Sequence, residues 1–139
     1  MGIFLTSSDE LYSFVKDEFG ETDNYLIAMK HNSFAKSLLK ATISTIYRNM
    51  DSSRNFILYF DEKGIHEKEM SFSDKSPFVL IPWNEIEEFT EDEKWNKVIL
   101  KVNHLGKVYG YEIPFNGRIM KGNKERYNIL HENSYHRLD

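Results

Sequence analysis

The 139-residue chain has no cysteine. A disulfide framework, a cysteine nucleophile and every thiolate metal site are therefore excluded, and a reducing compartment such as the cytoplasm is the expected setting. Its seven glycines are scattered singly, so there is no glycine-rich phosphate loop. No serine sits in a Gly-x-Ser-x-Gly elbow. An apolar run long enough to span a bilayer is missing, as are the basic start and long apolar core of a secretory signal. Basic excess is missing too. The formal net charge of −4 argues against a general nucleic-acid binder, which needs a basic face to neutralise phosphates. The opening residues match the N-myristoylation pattern at Gly2 and Thr6, a match too short to decide anything.

What the chain does contain is aromatic side chains, at 14%, which favour pleated, half-buried surfaces. Its length is that of one typical domain. Charge falls into blocks. Asp9, Glu10, Asp17, Glu18, Glu21 and Asp23 crowd the first 23 residues, while residues 24–50 carry Lys30, Lys36, Lys40 and Arg48 and no acid. A second acidic knot runs through Glu85, Glu87, Glu88, Glu91, Asp92 and Glu93.

Ser8, followed by Asp9 and Glu10, reads as a helix start, Leu11, Phe14, Val15 and Phe19 form one apolar stripe, and Gly20 is a stop. Tyr25 to Met29 suits a short strand or a helical turn equally, and periodicity leaves residues 34–47 equally open. Phe56 to Phe60 reads as a strand, Asp61-Glu62-Lys63-Gly64 as a tight turn, and Ile65 to Phe72 as the return strand. A short apolar strand over residues 78–83 follows, then the acidic knot, which reads as a polar loop. Alternation over Trp95 to Val102 and Lys107 to Phe115, joined through Leu105-Gly106, predicts a hairpin. An amphipathic helix is expected from about Ile119 to Glu132.

The run Phe56 to Ile65 resembles the strand–turn–strand of bacterial pleckstrin-homology-like (PH-like) and GRAM-like domains. Pro82-Trp83-Asn84-Glu85-Ile86 resembles the stretch that enters their next strand, and Asn103 through Phe115 their later hairpin. The resemblance covers about residues 55–133 and is nearest in character to small PH-like proteins of Gram-positive bacteria. It implies a partly open barrel used for binding, with no catalytic residue to transfer. Some eukaryotic relatives bind phosphoinositides through a basic pocket in the first strand–loop–strand. Here that turn is Asp61-Glu62-Lys63 with only Arg54 and Lys63 nearby, so the activity is not carried over.

The five histidines lack metal-ligand spacing, His131 and His136 being five apart rather than four. The acidic knot lacks the spaced ligands and mid-loop glycine of a calcium loop, so a solvated surface or a docking patch for a basic partner is the better reading. Trp83, Trp95, Tyr109 and Tyr111 are expected as core and cross-strand pairs rather than a binding face. Lys36 and Lys40 beside Phe34, Leu38 and Leu39 would suit a peripheral-membrane or partner helix, although acids of the first block can neutralise them.

The expectation is a single domain, mainly β (α+β). Residues 1–50 would form an N-terminal helical extension and 51–139 a PH-like, partly open antiparallel barrel with a C-terminal capping helix. The expected function is a non-catalytic cytoplasmic protein-binding or self-assembling module, with no cofactor, no metal and no nucleic acid. Its expected interaction surface is Phe34, Lys36, Leu38, Lys40, Glu87, Glu88 and Glu91. The runner-up is a membrane-surface binder using residues 30–48.

Overall fold

The computed structural model describes residues 8–31, 55–70, 77–117 and 119–137. Helix α1 (Ser8–Phe19) forms as the sequence predicts: Leu11 and Val15 are fully buried, and Phe14 and Phe19 flank them. It stops at Gly20, whose φ of +85° suits glycine and whose N–H reaches Lys16 O at 2.8 Å.

Seven strands follow: β1 (Tyr25–His31), β2 (Asn55–Asp61), β3 (Gly64–Glu69), β4 (Val79–Pro82), β5 (Ile86–Glu93), β6 (Lys97–His104) and β7 (Lys107–Pro114). They make one antiparallel sheet in the order β4-β3-β2-β1-β7-β6-β5, a mainly β architecture that wraps into a partly open barrel. The sheet therefore starts well before residue 51. The stretch left open at Tyr25 is its central strand, and the helical extension is α1 among the described residues. Tyr25, Leu26, Ile27 and Ala28 are all buried, because β1 is covered on both faces. Leu26 and Ala28 join Phe60, Leu100 and Ile113 inside the barrel, whereas Tyr25 and Ile27 meet α1 outside it. Four consecutive buried residues show no period of two, which hid the strand from the alternation test.

Both predicted hairpins are present. Asp61 Oδ1 accepts the N–H groups of Lys63 at 2.9 Å and Gly64 at 3.3 Å, fixing the β2–β3 turn. Leu105 and Gly106, with φ of 51° and 86°, make the two-residue turn between β6 and β7. Val98, Leu100, Val102, Tyr111 and Ile113 point into the core, as their alternation requires.

Three expectations are corrected. The acidic knot is strand β5, not a loop. A bulge between Ile86 and Glu88 lets Ile86 and Phe89, three apart, face the same interior, so the alternation is broken where it would have shown. Trp95 is not a core or cross-strand partner. It lies in the turn between β5 and β6 and is 87% exposed. The last helix, α2 (Asn123–Glu132), begins after Gly122, whose φ of +90° interrupts the run from Ile119.

Two seams of the barrel are closed by side chains. β1 pairs with β7 at Met29, Lys30 and His31, and its earlier residues diverge. Into that gap α2 inserts Asn123, fully buried. Its Nδ2 donates to Ile27 O at 2.9 Å and Pro114 O at 2.8 Å, and its Oδ1 accepts Ile27 N–H at 3.0 Å. Arg126 Nε donates to Tyr25 O at 2.9 Å. At the other seam Tyr135 lies between Phe60 and Phe89, with ring centroids 5.1 and 5.0 Å away. Ser134, Tyr135 and His136 hold φ of 51°, 57° and 61°, a left-handed turn unusual for residues with side chains.

Candidate interaction surface

Of the residues expected at the interaction surface, Phe34, Lys36, Leu38 and Lys40 lie outside the described residues, with the rest of 32–54. Glu87 and Glu88 are exposed on β5, with Glu88 3.9 Å from Lys101. Glu91 behaves differently. Its carboxylate accepts the Tyr135 hydroxyl at 2.5 Å and His131 Nδ1 at 3.0 Å, tying β5 to α2 and to the turn beyond it. Burial alone would raise its pKa. The hydrogen bonds from Tyr135, His131 and Tyr127 outweigh this and hold it below the ordinary carboxylate value. Glu91 is thus a clasp within the fold, and the sequence reasoning that grouped it with Glu87 and Glu88 is corrected on that point.

The histidines are likewise engaged in pairs. His66 Nε2 lies 3.0 Å from Asp61, His104 Nε2 2.8 Å from Glu85, and His136 Nε2 3.0 Å from Asn24. Among the described residues no three His, Asp or Glu side chains come together in a way that could hold a metal ion. Nor is any helix there long and apolar enough to cross a membrane.

One buried charge cluster faces the barrel interior. Lys30 Nζ sits 2.8 Å from Glu67 Oε2, and both side chains are nearly enclosed. The Tyr111 hydroxyl donates to the same carboxylate, and the ammonium lies 4.4 Å from the Tyr109 ring centre. Burial, then the adjacent Glu67 charge, pushes the Tyr111 phenol well above its ordinary value, so it stays a donor. Every strong partner in the cluster is internal. Lys30, one of the bases of the acid-free stretch 24–50, is held inside by Glu67.

Among the described residues the exposed large apolar side chains are Val79, Leu80, Trp95, Leu105 and Ile129, and only Val79 and Leu80 are neighbours in sequence. Val79 and Leu80 on β4 are 60% and 40% exposed, and β4 is an end strand of the sheet. Which way its main chain points follows from the ladder. Phe60 N–H donates to Asn24 O, and Met70 N–H donates to Asn55 O. Alternate residues of β2 therefore face β1 and β3, and Ile65 and Glu67 of β3 face β4. Their partners Ile81 and Val79 turn back to β3, which leaves the N–H and C=O of Leu80 facing outward. Residues 77–84 carry no charge, whereas the opposite end strand, β5, presents Glu87, Glu88, Asp92 and Glu93 to solvent. Charge is a common protection of sheet edges against pairing; β5 has it and β4 does not. The sequence held this signal as the uncharged run between Lys75 and Glu85, but only strand order shows that the run is an edge. No family model matches the sequence, and a search of curated proteins found no match.

Proposed function

We propose that this chain is a non-catalytic, cytoplasmic binding module of PH-like architecture that engages another polypeptide along β4. The observation that carries the reading is the uncharged outer edge of β4, with Val79 and Leu80 exposed beside main-chain groups that face away from the sheet. A strand added there would gain main-chain hydrogen bonds for affinity, with alternate side chains for selectivity. The order of seven antiparallel strands followed by a helix that seats on the barrel supports the PH-like part of the reading. The cytoplasmic part rests on the absence of cysteine.

The test compares wild type with Leu80→Lys, a change at an exposed site that leaves the core intact. Wild type should form complexes, with itself or with another protein, that survive gel filtration, and Leu80→Lys should lose them. Complexes untouched by Leu80→Lys would sink the proposal. Salt-sensitive binding to anionic vesicles, abolished by Lys36→Glu with Lys40→Glu, would put a membrane-surface role in its place.

A further inference from the structure

We infer that the occupant of the β4 edge is the β4 strand of a second copy of this chain, paired antiparallel about a two-fold axis at Leu80. The inference rests on the reading of β4 as the binding edge and narrows it to one partner. In an antiparallel pair, residues that face each other with both main-chain groups exchange two hydrogen bonds. Leu80 presents both groups outward, so the axis places it opposite the second copy's Leu80 and makes two bonds between them. The same register sets Phe78 opposite the second copy's Pro82. Proline has no N–H to give, yet its C=O accepts the Phe78 N–H on each side of the axis. Each of these end pairs therefore makes one bond instead of two, and the Phe78 C=O gains no partner from Pro82. The symmetric pairing thus makes four main-chain bonds, two at the axis and one at each end.

Charge and order argue for a second copy over a foreign peptide. Residues 77–84 bring no like charges together across the axis, whereas two β5 edges would set carboxylate against carboxylate. A second β4 is also already extended and held by β3, so it loses little conformational freedom on pairing, unlike a flexible peptide. The contact is short. Strand β4 has four residues, which falls well below the roughly 800 Å² per partner of a standard interface. The dimer should therefore be weak and concentration-dependent.

The absence of native cysteine makes the register directly readable. The pairing sets the two residues at position 80 about 5.5 Å apart between Cα atoms, within disulfide reach. Leu80→Cys should cross-link on mild oxidation into a dimer. Trp95→Cys, at a far more exposed site in the β5–β6 turn, should cross-link at only the rate of random collision. Sedimentation of wild type should show mass rising with concentration, and Leu80→Lys should weaken association by on the order of 10-fold or more, about 1.4 kcal/mol. Cross-linking at position 80 no faster than at 95, or a monomer up to about 1 mM, the ~4 kcal/mol limit of weak affinity, would overturn the pairing. A wild type that stays monomeric but captures another protein through Leu80 would sink self-pairing and leave the binding reading standing. A chain that does neither would sink both.

Discussion

Asn123 shows how much one side chain can carry. It is fully buried and makes hydrogen bonds in both directions with Ile27, besides donating to Pro114 O. The amide substitutes for the strand pairing that β7 no longer supplies to β1. Only Asn, with a donor and an acceptor on one short side chain, can meet both main-chain groups of Ile27. Removing it strands buried N–H and C=O groups, each of which costs on the order of 1–3 kcal/mol. Asn123→Ala should therefore lower stability by about 3 kcal/mol, read from urea unfolding midpoints. Asn123→Asp should not rescue it, because a carboxylate loses both donor bonds. A loss for Asn123→Ala no larger than the ±0.5 kcal/mol typical of surface sites would show that the gap is closed by other means. In sequence Asn123 is one polar residue among Gly122, Lys124 and Glu125, and nothing marks it as buried.

At the scale of elements, β4 depends on a close approach at Gly64. A Cβ built there would lie 2.1 Å from Ile81 O and 2.8 Å from Pro82 Cα, both backbone atoms that cannot swing aside. Gly64→Ala must push β4 from β3, and overpacking of this kind costs typically 1–3 kcal/mol. The expected outcome is a fall of about 3 kcal/mol in unfolding free energy, with faster hydrogen exchange at the Val79 and Ile81 amides. Unchanged exchange at those amides would mean that β4 is held by something other than its ladder to β3. The same element shows where pattern reading stops. The apolar character of residues 78–83 marks a strand, but whether a strand is central or terminal depends on pairings distant in sequence. Strand β5 is the converse case. Its bulge shifted the inward positions to Ile86 and Phe89, and six acids in nine residues resemble a loop until an edge position explains them.

For the whole molecule, the Glu91 clasp links folding to pH, because it joins β5, α2 and the left-handed turn at Ser134–His136. Glu91 is held below its ordinary value of 4.5, so its contribution is present above that value and is lost as pH falls through the lowered one. His131 is raised above its ordinary 6.5, first by the hydrogen bond to Glu91 and then by the Glu91 charge, with Glu93 and Glu132 adding to it. Its contribution is complete below 6.5 and fades as pH rises through the raised value. The pair is therefore strongest between about pH 4.5 and 6.5. Glu91→Gln should remove both limbs. The stability difference between wild type and variant, followed by thermal melting across pH, should peak in that window and narrow on each side. A difference that is flat with pH would show that Glu91 acts through shape and neutral hydrogen bonds alone.

Composition and local pattern by themselves determined a mainly β chain with α1, the two tight-turned hairpins and a terminal helix. Each of these depends on neighbours within a few residues: the stop at Gly20, the Asp61 turn, the alternation about Leu105-Gly106. Tertiary structure alone decided which strands became edges, that Lys30 turns inward to Glu67, that Glu91 clasps the last helix, and that Asn123 fills a gap between β1 and β7. These pairs lie 37, 40 and 96 residues apart in the chain, as in Lys30 with Glu67, His131 with Glu91, and Asn123 with Ile27. The physical reason is that a side chain's burial and its partners are properties of the assembled sheet, and a local window of sequence contains neither.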